Sequence, residues 1–122
     1  MTEIVTPAQV EAKLKSLSKE LDVCQADLSE VEYTYYTTKA QYEIAMAETR
    51  LALARQSAPN GKNYTVGERE DMAIVANREK HIAMAEVEAA VRATRANAQR
   101  LKAQVDIARS VGTSVRTSME VT

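Results

Sequence analysis

A chain of 122 residues with a net charge of −1 is one domain by length, and it lacks the basic excess of a protein built around a polyanion. No stretch approaches the roughly 18 to 20 apolar residues that span a bilayer, and a single cysteine, Cys24, excludes an internal disulfide framework. With no Phe or Trp and an apolar part made mostly of Ala, Val, Leu and Met, any core is thin and made of closely packed helices.

The helix breakers set the layout. Pro7, Pro59, Gly61, Gly67 and Gly112 are the only prolines and glycines, so 51 residues run unbroken after Pro7 and 44 after Gly67. The expectation is an all-α antiparallel two-helix hairpin. It divides into an N-terminal extension 1–6, a first helix 7–56, a turn 57–65, a second helix 66–111 and a C-terminal tail 112–122. The opening MTEIVTPAQ lacks the basic-then-apolar layout of a signal peptide, which with the lone cysteine points to a cytoplasmic protein.

Thr6-Pro7-Ala8-Gln9 reads as an N-cap threonine, a proline at the first helical position and a reciprocal glutamine three residues on. The first helix then carries a heptad seam: Val10, Leu14, Leu17, Leu21, Cys24, Leu28, Val31 and Tyr35 alternate spacings of four and three, the pattern of coiled-coil packing. Beyond Tyr36 the stripe reads as shifting to Tyr36, Ala40, Ile44, Ala47 and Leu51, which resembles a stutter. Around Ile44–Ala47 and Leu51–Ala54 the helix is apolar almost all the way round, which predicts burial on all sides. One partner helix cannot supply that. Self-association into a four-helix bundle or larger oligomer is therefore expected, with Ile44, Met46, Leu51, Leu53, Met72, Val75, Ile82 and Met84 at the interface. A lone two-helix hairpin also buries too little surface to be robust.

Ser57 to Tyr64 is turn chemistry: proline presets φ, and Asn60-Gly61 tolerates positive φ. Thr65-Val66-Gly67-Glu68 repeats the capping device, with Glu68 reaching back. The second helix has the matching seam of Val87, Val91, Thr94, Ala98, Leu101, Val105, Ala108 and Gly112. Ile-Ala-Met-Ala-Glu occurs at 44–48 and 82–86, and folding about residue 63 would set the two copies face to face. The tail has three readings: a frayed end, a helical extension continuing Val111, Val115 and Met119 at i+4 spacing, or a strand-forming peptide that orders on a partner.

Charge follows the same topology. Residues 1–48 hold nine acids and four bases, and residues 92–122 hold six bases and two acids. An antiparallel hairpin lays one beside the other, which favours that orientation. The same bases supply the alternative function, nucleic-acid contact through Arg92, Arg95, Arg100, Lys102 and Arg109, although no aromatic platform accompanies them. Tyr33 and Tyr36 lie off the seam and suit a protein-binding surface.

Catalysis has no constellation to carry it. His81 is the one histidine and sits in Glu79-Lys80-His81, the wrong spacing for a Glu-x-x-His metal pair. Cys24 falls in the leucine seam, where a thiol acts as a small hydrophobe, and no glycine-rich phosphate loop exists. No catalytic, cofactor or metal site is expected.

Tyr64-Thr65-Val66-Gly67-Glu68-Arg69-Glu70 at the start of the second helix, with Gln104-Val105-Asp106-Ile107-Ala108-Arg109-Ser110-Val111 leading into Ser114-Val115-Arg116, resembles small helical-hairpin proteins of tailed bacteriophages. The resemblance covers the layout and these two stretches. It implies a phage accessory protein acting in the host bacterial cytoplasm on phage or host machinery, some relatives of this kind being carried near recombination or replication genes. The combined expectation is a non-catalytic interaction or scaffolding module whose partners are a second copy of itself and a further protein.

Overall fold

In the computed structural model the described residues are 5 to 121, the side chain at 121 excepted. These residues are all-α, with three helices among them: α1 (Pro7–Ala54), α2 (Val66–Ala76) and α3 (Arg78–Val121). Among the described residues, strand-like pairing is limited to one isolated bridge, Ser57 to Asn63. Of the predicted N-terminal extension, residues 1 to 4 lie outside the described part.

The caps form as their sequences dictate. Thr6 N–H donates to Gln9 Oε1 at 2.9 Å, and Gln9 N–H donates to Thr6 Oγ1 at 3.2 Å, so two orphan amides at the start of α1 are satisfied reciprocally. Thr65 and Glu68 do the same at α2, at 3.1 and 3.4 Å. At its other end α1 stops at Ala54 rather than at residue 56. The amides of Arg55 and Gln56 reach back three residues instead of four, which tightens the final turn. The connection that follows is built on Ala58-Pro59-Asn60-Gly61: Gly61 N–H donates to Ala58 O at 2.9 Å, and Ala58 N–H to Lys62 O at 2.8 Å. Gly61 adopts φ +80°, the left-handed conformation that a side chain would resist.

The structure divides into two compact units, Met1–Glu30 with Arg92–Thr122, and Val31–Val91. In the first, α1 and α3 run antiparallel along their heptad seams. Leu17, Cys24, Leu101 and Val105 form the buried cluster, and Leu14, Leu21, Ala98 and Ala108 pack against it. The Cys24 thiol donates to Thr94 O at 3.6 Å and accepts from Asn97 Nδ2 at 3.5 Å, so it is satisfied in both roles. Near the chain ends Gly112 is buried so close to α1 that a Cβ there would lie 2.9 Å from Val10 Cγ1. That contact helps explain why residues 112 to 121 continue α3, which selects the helical extension among the three readings of the tail. Val115 is half-buried, and the Thr113 and Thr117 hydroxyls bond back to the carbonyls of Arg109 and Thr113. Packing and local hydrogen bonds outweigh the weak helix propensity of the segment.

In the second unit the predicted unbroken second helix is interrupted at Asn77 (φ −111°, ψ 29°), which separates α2 from α3. Asn77 is 9 % exposed and its carboxamide replaces ordinary helix packing with three contacts. Nδ2 reaches Ala73 O at 2.9 Å, Thr49 Oγ1 at 2.9 Å and Met46 Sδ at 3.8 Å. Thr49 in turn donates to Ala45 O. The Asn77 amide keeps Ala73 O at 3.1 Å and also reaches Ile74 O at 3.2 Å, so its carboxamide shares the carbonyl four residues back with the backbone and the interruption is one residue long. Tyr42 OH lies 3.0 Å from His81 Nδ1. These contacts place the 44–48 pentamer opposite Asn77, so the two Ile-Ala-Met-Ala-Glu copies do not face each other as expected.

Candidate interaction surface

The register of α1 in the second unit decides which residues face outward. The packed line does not shift to Tyr36, Ala40, Ile44, Ala47 and Leu51. It runs through Tyr35, Thr38, Tyr42, Met46, Thr49 and Leu53, all buried or half-buried. The two successive steps of four fall at Thr38–Tyr42–Met46, so the stutter lies two residues later than the apolar pattern suggests. Two polar side chains on this line find partners across it: Thr49 meets Asn77 and Tyr42 meets His81. Among the described residues no buried side-chain N or O atom lacks a hydrogen bond.

The consequence is a second apolar stripe on the outside. Tyr33 is 75 % exposed, Tyr36 64 %, Ile44 59 % and Leu51 62 %, with exposed Ala40 and Ala47 between them. These residues recur at helical spacing on the side of α1 roughly opposite its packed line.

The eight expected interface residues therefore separate into groups. Met46 and Leu53 are covered by the chain's own packing, and Met84 is half-buried. Ile44, Leu51, Met72, Val75 and Ile82 are exposed. The apolar-all-round stretch thus buries one face and leaves the other open. Ile74, which is not among the eight, is exposed as well. Tyr35 and Tyr36 meet edge to face with ring centroids 5.3 Å apart, so the outward Tyr36 ring is braced by a ring on the packed side. Arg50 lies beside the stripe and forms a 2.9 Å ion pair with Glu70 of α2, both side chains about half exposed.

The basic residues lie on exposed positions of α3 in the first unit. Arg100 donates two hydrogen bonds to Asn97 Oδ1, at 2.6 and 3.2 Å, and Arg109 lies 3.9 Å from Asp106. Both engage their own helix. In the same unit an open groove of about 810 Å³ follows the C-terminal part of α3, lined by Val5, Pro7, Ile107, Val111, Val115 and Met119. Its walls are apolar apart from serines, Thr6 and Asp106.

Among the described residues no His, Cys, Asp or Glu group could hold a metal ion, and no helix is long and apolar enough to cross a membrane. No protein-family model matches the chain, and neither a curated protein nor a solved structure matches it.

Proposed function

We propose that the chain is a non-catalytic protein-interaction module, a helical hairpin that self-associates through the outward face of α1, so that α1 of each copy and the helical arm it packs on form a four-helix layer in the dimer. The observation that carries this reading is the exposed stripe of Ile44 and Leu51, flanked by Tyr33 and Tyr36, on a helix whose own packed line is already filled. Large aliphatic and aromatic side chains at helical spacing form the kind of contiguous apolar surface that marks interaction sites. The small hairpin gains the burial it cannot supply alone. The phage setting is supported by the two resembling stretches, and a module of this kind would serve there as an assembly or adaptor element.

The experiment is to replace Ile44 and Leu51 with glutamate and follow thermal unfolding by circular dichroism across a range of protein concentrations. A self-associating chain melts at higher temperature as concentration rises. The double variant should keep its helicity, because both sites are exposed in the single chain, and lose the concentration dependence. If each side chain contributes about 1 kcal/mol on burial, four per dimer weaken association on the order of a thousandfold. Concentration-independent melting of the unsubstituted chain would overturn the proposal.

A further inference from the structure

If Tyr35, Tyr42 and Thr49 are taken as heptad position a of the packed line, the outward residues fall at c (Thr37, Ile44, Leu51) and f (Ala40, Ala47, Ala54), all exposed. Exposed flanks follow at b (Tyr36, Glu43, Arg50) and g (Gln41, Glu48, Arg55). Positions c and f lie on the outer side of an a/d seam and are ordinarily polar. Here the f line is alanine at three successive heptads and the c line holds the large aliphatics.

We infer that this face is a second, antiparallel seam in which α1 of one copy pairs with α1 of another, about a two-fold axis between Ala45 and Met46. The inference rests on the self-association proposed above and adds the partner helix, its direction and its register. Size complementarity supports it. In this register Ile44 meets the partner's Ala47, Leu51 meets the partner's Ala40, and Thr37 meets the partner's Ala54. Every layer combines a larger residue with a small one, so the helix axes can approach to about 8 Å, the close end for packed helices. A parallel pair would instead stack Ile44 on Ile44 and Ala47 on Ala47, alternating crowded layers with voids.

Charge selects the same arrangement independently. The antiparallel register sets Glu43 beside the partner's Arg50 twice, and Gln41 beside the partner's Glu48 twice. A shift of one heptad brings Arg50 against Arg50 and Glu48 against Glu48, or, in the other direction, Glu43 against Glu43. A parallel in-register pair sets Glu43 beside Glu48 and Arg50 beside Arg55, like charges at both charged flanks, with only Tyr36 and Gln41 neutral. Opposite-charge flanks specify direction and partner even where each pair adds little affinity. Arg50 is already held by Glu70 at 2.9 Å, and its five donors leave room for a second carboxylate.

The test is a pulsed electron-resonance distance measurement on a nitroxide at residue 55, in the R55C/C24S chain, with R55C retaining the buried Cys24 as a folding control. The proposed register separates the two labels by 19 residues of rise, about 29 Å along the axis at 1.5 Å per residue. A dominant distance of about 30 Å, set by that rise, is the expected result. A distance of about 18 Å, or of about 39 Å, would mean a register one heptad away at the same rise per residue. A distance below about 15 Å would mean a parallel pair, its labels separated only across the two packed helices. Each of these would overturn this inference while leaving self-association standing. Absence of any intermolecular distance, with a monomeric mass, would overturn both.

Discussion

Gly112 sits where helix propensity and packing oppose each other, and the balance can be worked out. Replacing glycine by alanine inside a helix ordinarily stabilises by about 1 kcal/mol. Here the new Cβ would stand 2.9 Å from Val10 Cγ1. Val10 is 7 % exposed, and a β-branched side chain in a helix holds one strongly preferred rotamer, so the methyl cannot swing aside. Overpacking of this kind costs about 1 to 3 kcal/mol, which leaves Gly112→Ala neutral to destabilising by about 2 kcal/mol. Val10→Ala alone should cost about 2 kcal/mol through lost burial and a small cavity. In the Val10→Ala background the clash is gone, and Gly112→Ala should then stabilise by about 1 kcal/mol. Urea unfolding followed by circular dichroism measures all four corners of the cycle. Since the sites touch, a coupling of about 1 to 3 kcal/mol is expected. Stabilisation by Gly112→Ala in the unsubstituted chain, or simple additivity within about 0.5 kcal/mol, would refute the close approach of α1 and α3 at this point.

Thr49→Val removes the hydroxyl that accepts from Asn77 and should cost about 1 to 2 kcal/mol in thermal or urea unfolding, and Asn77→Ala on top of it should add less than it does alone, because the two share one bond. Gly67→Ala has nothing within 4 Å of its new Cβ and should be neutral to stabilising by about 1 kcal/mol, whereas Gly61→Ala, at φ +80°, should destabilise by about 1 to 2 kcal/mol. A labelled single strand should not shift with this chain at moderate salt. A salt-sensitive shift abolished by R95E/R100E would instead support the nucleic-acid alternative.

Much of the fold was legible because local chemistry and tertiary packing agree. The capping boxes at Thr6 and Thr65, the positive φ of Gly61 and the leucine-rich seam from Val10 to Leu28 are all determined by neighbours within a few residues. The break at Asn77 was not, because an exposed asparagine is tolerated in a helix. What sets this asparagine apart is burial opposite Thr49, a contact 28 residues away. The stripe of Tyr36, Ile44 and Leu51 was visible as a pattern, but apolarity alone assigned it to the packed line. The hydrogen bonds that let Thr49 and Tyr42 occupy that line cannot be read from hydrophobic periodicity. The tail was open for a similar reason, since Gly112 favours helix only through its contact with Val10.

The central claim is that the outward face of α1 covers a second copy of itself, and solution mass by light scattering at low and high salt tests it most directly. The account predicts about twice the 13.5 kDa chain mass, retained at high salt because apolar burial supplies most of the association and the exposed ion pairs little. A mass of one chain at the highest concentration attainable would contradict it.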